Sequence, residues 1–264
     1  VQGEALGPAG HLTLAVEPRL VALFARSFPQ AEVVAHRTET VGGRARRSAG
    51  DLPDPRAIDL WAPLASLPRR FRRAIADFPA RPGFLAPDPQ RVDHWRRWLG
   101  EGPPIVGLTW RSGNLLGDRR RQSPPMASWR PVLEAGDTRL VNLQYGDSAR
   151  ERAELMRREG LALLAPDGLD TAAPLAGFAD LVAGCDLVVT IDNTTAHMAG
   201  ALGRPTWLLL PHAPNWRWLL ERGDSPWYPS LRLFRQPARG DWQSVLGELY
   251  LAFLDHLDKA RSAA

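Results

Sequence analysis

The positions of apolar and polar residues predict that strands and helices alternate over the second two-thirds of the chain. Short runs rich in leucine, isoleucine and valine are typical of strands buried on both faces, and the stretches between them repeat apolar residues at helical spacing. Such alternation predicts a parallel, doubly wound α/β sheet. The predicted strands are residues 105–110, 139–143, 161–164, 186–191, 206–210 and 231–234, and the predicted helices are residues 128–134, 147–158, 175–183, 194–202 and 242–257.

The first third of the chain has a less regular pattern. A strand is predicted at residues 12–16, a helix from Pro18 to about Phe28, and a further short strand at residues 31–35. Residues 36–57 are rich in Arg, Gly, Asp and Pro and show no period, so we expect a loop there.

Three prolines, Pro82, Pro87 and Pro89, predict a linker between the two parts of the chain, and an amphipathic helix follows from Asp88. A chain of 264 residues, 44% of them apolar, is long enough to form two lobes. We therefore predict an α/β protein with two lobes. The predicted divisions are residues 1–87 for the N-terminal lobe, residues 88–240 for the C-terminal lobe and residues 241–264 for a closing helix.

The junction at residues 186–203 is the most informative feature. A buried strand runs directly into Asp192, Asn193, Thr194 and Thr195, whose side-chain oxygens are suited to cap a helix that begins there. The free N–H groups and the positive end of the helix dipole would then face the crevice beyond the strand ends, where open α/β sheets bind ligands. The sequence therefore predicts a phosphate site at this helix start.

Four strand ends of the second lobe should meet at this crevice, because parallel strands deliver their following loops to one edge of a sheet. Plain turns need only Gly, Pro, Asn or Asp, whereas these ends also carry Arg, Gln, Tyr, His and Trp. A ligand site explains this excess, and ordinary turns are the alternative. The loops are residues 109–114, 142–147, 192–195 and 211–216, and their candidate ligand-binding residues include Ser112, Asn114, Gln144, Tyr145, His212, Asn215 and Trp216.

Arg111, at the end of the first strand of this lobe, is the candidate cation. It could neutralise a phosphate from the side opposite Asn193, and a salt bridge between lobes is the alternative. His197 is predicted one turn into the helix, on the same face as Asn193. It is either a ligand contact or a residue packed against its neighbours. No second His or Cys stands at metal-ligand spacing, so no metal is expected. The basic run Arg119–Arg121 is either a solvated surface or a substrate contact.

Composition narrows the function classes. The net charge is +4, and Lys259 is the one lysine, so arginine carries nearly all the positive charge. Arginine suits the binding of phosphate and carboxylate groups, but the base composition of a GC-rich genome would also explain its abundance. One cysteine and the lack of a long apolar run or leader pattern favour a cytoplasmic protein without a membrane span. No Walker, GxGxxG or GxSxG motif is present. The sequence also lacks the basic stripes interleaved with aromatic residues that would predict nucleic-acid binding.

The tract IDNTTAHMAGALGRPTWLLLPHAPNWRWLLERGDSPWYPSLRLFRQ, with VGLTWRSGN and RLVNLQYGD upstream, resembles the C-terminal half of bacterial tetratricopeptide-repeat glycosyltransferases. These are related to the heptosyltransferase-like family 9 and share the GT-B fold with protein O-GlcNAc transferases. The segments EPRLVALFARSFPQAEVV and IDLWAPLASLPRRFR are similar to the N-terminal lobe of members linked to flagellin glycosylation.

The resemblance implies a GT-B-like fold with two Rossmann-like lobes, the first of them incomplete in this chain. A nucleotide-sugar donor is expected to bind between the lobes, without metal or other cofactor. The family's first strand and glycine-rich loop do not match the beginning of this chain, so we expect a catalytic base outside it. Carried over by matching positions, the implied residues are Arg111, Asn193, Thr194 and Thr195 for the donor phosphate, Asp192 for the turn, Gln144 and Tyr145 for the base or ribose, and His212, Asn215 and Trp216 for the sugar.

The expected function is transfer of a sugar from a nucleotide-activated donor to Ser or Thr hydroxyls of a protein, with flagellin as a candidate acceptor and tetratricopeptide repeats upstream. Arg111 and the helix N-terminus would stabilise the departing phosphate, a catalytic role. Two alternatives stay open: a heptosyltransferase-like enzyme acting on lipopolysaccharide or another glycan, and a non-catalytic recruitment module.

Overall fold

Strands and helices alternate through the second part of the protein, as its pattern predicts. The computed structural model describes residues 10–49, 58–112, 123–169, 171 and 174–263. The strands are β1 (Thr13–Val16), β2 (Glu32–Ala35), β3 (Arg37–Val41), β4 (Arg44–Ser48), β5 (Ile105–Leu108), β6 (Arg139–Asn142), β7 (Leu187–Ile191), β8 (Thr206–Leu210) and β9 (Leu231–Arg235). The α-helices are α1 (Val21–Ser27), α2 (Pro68–Phe71), α3 (Pro89–Leu99), α4 (Arg130–Leu133), α5 (Ala149–Glu159), α6 (Leu175–Gly184), α7 (Thr194–Ala201) and α8 (Trp242–Ala263).

A five-stranded sheet in the order β6-β5-β7-β8-β9 forms the centre of the protein, and every neighbouring pair is parallel. Every residue of β5, β7 and β8 is buried, which explains their continuous apolar runs. The chain goes from β5 outwards to β6 on one side and later to β7 on the other. The boundary between β5 and β7 is therefore the topological switch point, and the α/β parallel sheet is confirmed.

Two apolar layers cover the sheet. Because successive strand residues point to opposite faces, Val106 of β5 enters one layer and Ile105 enters the other. The first layer includes Phe253 of α8, and the second includes Trp95 of α3 and Phe178 of α6. Helices on both faces leave the ends of the strands as the accessible edges of the sheet.

The first elements dock on the second layer. Strands β1 and β2 pair in parallel, and α1 places Leu23, wholly buried, among the residues of α3 and α6. The buried Asp180 of α6 accepts a hydrogen bond from Arg26 Nη2 at 3.2 Å and one from the Asp88 N–H at 2.8 Å, and its second oxygen lies 3.1 Å from Arg91 Nε. Burial raises the pKa of Asp180, and the Asp88 N–H and the two arginines oppose that rise.

The linker lies against the end of α7. The N–H groups of Phe84 and Leu85 both donate to the Ala201 carbonyl, at 2.7 and 2.9 Å. Gly83 passes so close to Gly203 that a Cβ on Gly83 would stand 2.6 Å from the Gly203 nitrogen. This close approach requires glycine on both sides.

Two local predictions are wrong. Residues 36–57 were expected to be a loop, but residues 37–48 form the antiparallel hairpin of β3 and β4. Gly42 and Gly43, with φ of 57° and 75°, supply its two-residue turn, and both strands are exposed, so no hydrophobic alternation marks them. Residues 161–164 form no strand, because only Leu164 bridges to β6. The division into lobes stays a prediction.

Candidate functional site

The N-terminus of α7 lies at the switch point of the sheet. Asn193 is the N-cap: its side-chain Oδ1 accepts hydrogen bonds from the N–H groups of Thr195 and Ala196, at 2.9 and 3.3 Å. Asp192 and Asn193 are half-buried, Thr195 is buried and Thr194 is exposed. The leading turn of α7 is therefore open to solvent at Thr194, while the N–H groups of Thr195 and Ala196 bond to Asn193.

A closed hydrogen-bond network fixes this turn to the neighbouring strand. Asn193 Nδ2 donates to Thr109 Oγ1 at 2.9 Å, the hydroxyls of Thr109 and Thr190 are 2.5 Å apart, and Thr190 Oγ1 donates to Asn193 Oδ1 at 3.2 Å. Both threonines are wholly buried. The sequence predictions did not include this network, although a threonine at the end of each apolar strand was its signal.

Arg111 is turned towards α5. Its Nε donates to both carboxylate oxygens of Glu151 at 2.9 Å, and its Nη2 donates to the Asp147 carbonyl at 2.8 Å. The expected position opposite Asn193 is therefore not the one observed, because a carboxylate 40 residues along the chain occupies the guanidinium. A phosphate clamp between Arg111 and Asn193 stays a prediction, and it requires the guanidinium to leave Glu151.

A cavity of about 540 Å³ opens beside Arg111, between the ends of β5 and β6. Its wall combines two arginines, two carboxylates, three serine hydroxyls and an apolar side, which suits a polar, ring-containing ligand. The cavity belongs to the same sheet edge as the leading turn of α7, although no residue of α7 lines it. The lining residues are Trp110, Arg111, Ser112, Ser123, Pro124, Pro125, Met126, Asp147, Ser148, Arg150 and Glu151.

Gln144 joins the loops after β5 and β6. Its Oε1 accepts from the N–H groups of Trp110 and Arg111, and its Nε2 donates to the carbonyls of Arg111 and Tyr145. Gln144 is only 1% exposed, so its amide serves the backbone, whereas Tyr145 is 40% exposed. Asn114 and the Arg119–Arg121 run lie outside the described residues.

His197 of α7 is packed among aromatic rings. Its ring stacks on Trp218 with centroids 5.0 Å apart, and its Nδ1 lies 3.1 Å from the Tyr228 hydroxyl. Burial lowers the pKa of His197; Asp192 opposes this shift and Arg217 adds to it. Burial also raises the pKa of Tyr228 to about 12. His197 is thus held in position by the rings around it, one turn into α7.

The loop after β8 brings the remaining predicted residues to the same edge. The His212 N–H donates to Gln236 Oε1 at 3.1 Å, and Asn215 Oδ1 accepts from the Arg217 N–H at 3.2 Å, capping a short turn at Trp216–Trp218. Trp216 is 58% exposed. The loop therefore presents an aromatic ring to solvent next to α7.

Within the described ranges, no cluster of three or more His, Cys, Asp and Glu side chains could hold a metal ion. None of the helices described is long and apolar enough to cross a membrane.

Comparison with known proteins gives one relative and two solved structures. No protein-family model matches the chain. Protein FlbA of Caulobacter vibrioides is 42% identical over 254 residues, which are 96% of this chain and 42% of FlbA. The chain thus spans less than half the length of this curated relative.

The two structures are distant. The ADP-heptose lipopolysaccharide heptosyltransferase II of E. coli is 20% identical, with a TM-score of 0.46 over 71% of this chain and 59% of its own. A glycosyltransferase of family 9 from Veillonella parvula DSM 2008 is 10% identical, with a TM-score of 0.40 over 68% of this chain and 52% of its own. Similarity at this level does not by itself establish a shared fold.

Proposed function

We propose that this chain carries the donor-binding part of a GT-B glycosyltransferase that uses a nucleotide-sugar. The observation that carries the proposal is the N-terminal turn of α7, exposed at Thr194, which lies at the switch point of a parallel sheet whose same edge holds a cavity of about 540 Å³. Helix N-termini at switch points favour phosphate groups. The sequence resemblance to tetratricopeptide-repeat glycosyltransferases selects a nucleotide-sugar among phosphate ligands.

In this proposal the donor phosphate binds at Asn193, Thr194 and Thr195, with Asp192 in the turn and His197 behind it. The bond between the anomeric carbon and the phosphate oxygen breaks, the acceptor oxygen bonds to that carbon, and a base takes the acceptor proton. The helix dipole stabilises the charge on the departing phosphate. No cofactor enters the proposal beyond the donor itself.

The other predicted residues take places around this centre. Arg111 and Ser112 would meet the donor from the cavity, and Arg111 would do so once it releases Glu151. Gln144 would hold the loop next to the base or ribose, with exposed Tyr145 closer to it. His212, Asn215 and Trp216 would lie near the sugar.

The binding test uses Thr194→Glu in the intact protein. Thr194 is exposed in the first helical turn, where a carboxylate favours the helix but repels a phosphate. The matched control is Gln90→Glu, which adds the same charge to the exposed first turn of α3. We expect calorimetry to detect one nucleotide among CMP, ADP, GDP and UDP, and Thr194→Glu to weaken its binding by at least about tenfold. Equal affinity of both variants, or no binding by the wild type, would contradict the proposal.

The acceptor is a separate question. A protein hydroxyl, as on flagellin, and a lipopolysaccharide or other glycan are both compatible with the donor site, and at these TM-scores the names of the two structures do not select between them. Deleting the gene and comparing protein-linked and lipid-linked glycans by mass spectrometry distinguishes them. A binding-competent protein whose loss changes neither class of glycan would favour the recruitment module.

A further inference from the structure

Arg217 lies beside α7, on the side opposite Arg111. In the sheet order, β7 stands between β5 and β8; Arg111 follows β5, α7 follows β7, and Arg217 follows β8. The turn that contains Arg217 packs on α7, because the neighbouring Trp218 stacks on His197 with ring centroids 5.0 Å apart. Arg217 is thus a second candidate cation, in a loop that packs against α7 from the side away from Arg111.

The guanidinium of Arg217 is held in place without a carboxylate partner. Its Nη1 donates to Asn215 Oδ1 at 3.1 Å, and its Cζ lies 5.1 Å from the centre of the Trp216 ring. Among the described residues, no carboxylate oxygen lies within 4.0 Å of it, whereas Arg111 is paired with Glu151. The side chain is exposed, so its charge is available to an anion.

Two further observations concern Arg217 and the residues packed behind it, His197, Tyr228 and Trp218. Its charge acts on α7 and its surroundings, since it contributes to the lowered pKa of His197 and opposes the rise in the pKa of Tyr228. The indole N–H of Trp218, a wholly buried side chain, has no hydrogen-bond acceptor among the described residues. The charge of Arg217 therefore reaches His197, and the next residue along the chain, Trp218, holds a buried donor without a described partner.

We propose that Arg217 binds the donor phosphate, and that it completes with the N-terminus of α7 the two-sided anion site for which Arg111 was expected. Trp216 positions the guanidinium by stacking on it. The ligand is a phosphate or pyrophosphate group attached to a ring system. This inference rests on the proposed function, because it assigns a residue to the same donor site.

The experiment measures the affinity of the intact protein for inorganic pyrophosphate and for the nucleotide that the wild type binds. Arg217→Gln removes the positive charge, and Arg217→Lys keeps the charge but lacks the planar guanidinium group with its paired N–H donors. The matched control is Arg222→Gln in the same loop, because Asp224 holds both Nε and Nη2 of Arg222, at 2.9 and 2.8 Å. Thermal unfolding of each variant checks that the exposed substitutions leave the fold intact.

We expect Arg217→Gln to weaken binding of both probes by about tenfold or more, Arg217→Lys to weaken it less, and Arg222→Gln to change it by less than about twofold. If the wild type and Arg217→Gln bind equally well while Thr194→Glu does not bind, the donor site stands and the role of Arg217 is wrong. Failure of the wild type to bind any nucleotide would remove the proposed function and this inference with it.

Discussion

Asn193 offers a test that separates the stability of the site from its charge. The Asn193→Ala substitution removes the cap of α7 and leaves the hydroxyls of Thr109 and Thr190, both wholly buried, without the amide that closes their network. Loss of a cap and of a partner to buried polar groups together cost about 2 to 4 kcal/mol of unfolding free energy. The Asn193→Asp substitution keeps the capping oxygen and loses only the Nδ2 donor, so we expect a change within about 1 kcal/mol.

Equilibrium urea unfolding of the intact protein measures both values, provided that the slope against urea concentration stays constant. Asn215→Ala is the matched control, because Asn215 is an exposed cap whose side-chain oxygen bonds only to Arg217 among the described residues, and its loss should cost about 1 kcal/mol or less. Nucleotide affinity should follow a different order, since the added carboxylate of Asn193→Asp repels a phosphate. A loss below about 0.5 kcal/mol in Asn193→Ala, or a larger loss in Asn193→Asp than in Asn193→Ala, would refute the reasoning.

Two further predictions concern the surroundings of the site. Burial holds the pKa of His197 below its ordinary value of 6.5, so the unfolded chain binds the proton more tightly. The stability that depends on neutral His197 is therefore present above pH 6.5 and is lost as the pH falls below it. His197→Phe keeps a ring against Trp218 but cannot take up a proton. Between pH 8 and pH 5.5, its free energy of unfolding in urea should therefore fall less than that of the wild type. Gly83→Ala forces a Cβ against the backbone of Gly203 and should cost about 1 to 3 kcal/mol. Gly223→Ala, with no atom near its Cβ, should be close to neutral in the same assay, and equal effects of the two would contradict the close approach.

The parts of the fold that the sequence predicted well are those with a local cause. The predicted strand at residues 206–210 agrees with β8 because five buried residues in succession leave few other interpretations. The hairpin of β3 and β4 was missed because all ten of its strand residues are exposed and carry no alternation. Its only sequence signal was the Gly42–Gly43 pair, which is a strong hairpin turn when apolar strands flank it.

The site shows the same distinction between local and distant causes. A cap among residues 192–195 follows from their position between a buried strand and a helix, so the sequence was sufficient to predict it, and the structure assigns the cap to Asn193. The direction of Arg111 depends on Glu151, and no local pattern reports which carboxylate a long, flexible side chain will meet. Arg217 was overlooked for the same reason, because its place beside α7 follows from the order of β7 and β8 in the sheet.

Two chains of ring contacts join the segment before residue 88 to the elements around α7. Phe84 stacks on Tyr228 with centroids 6.3 Å apart, and the Tyr228 hydroxyl lies 3.1 Å from His197 Nδ1. Phe78 meets Trp227 edge-on at 4.7 Å, and Trp227 in turn meets Trp216 at 6.1 Å. This segment therefore contributes to the aromatic surroundings of both His197 and Trp216, although it lies more than 100 residues earlier in the chain.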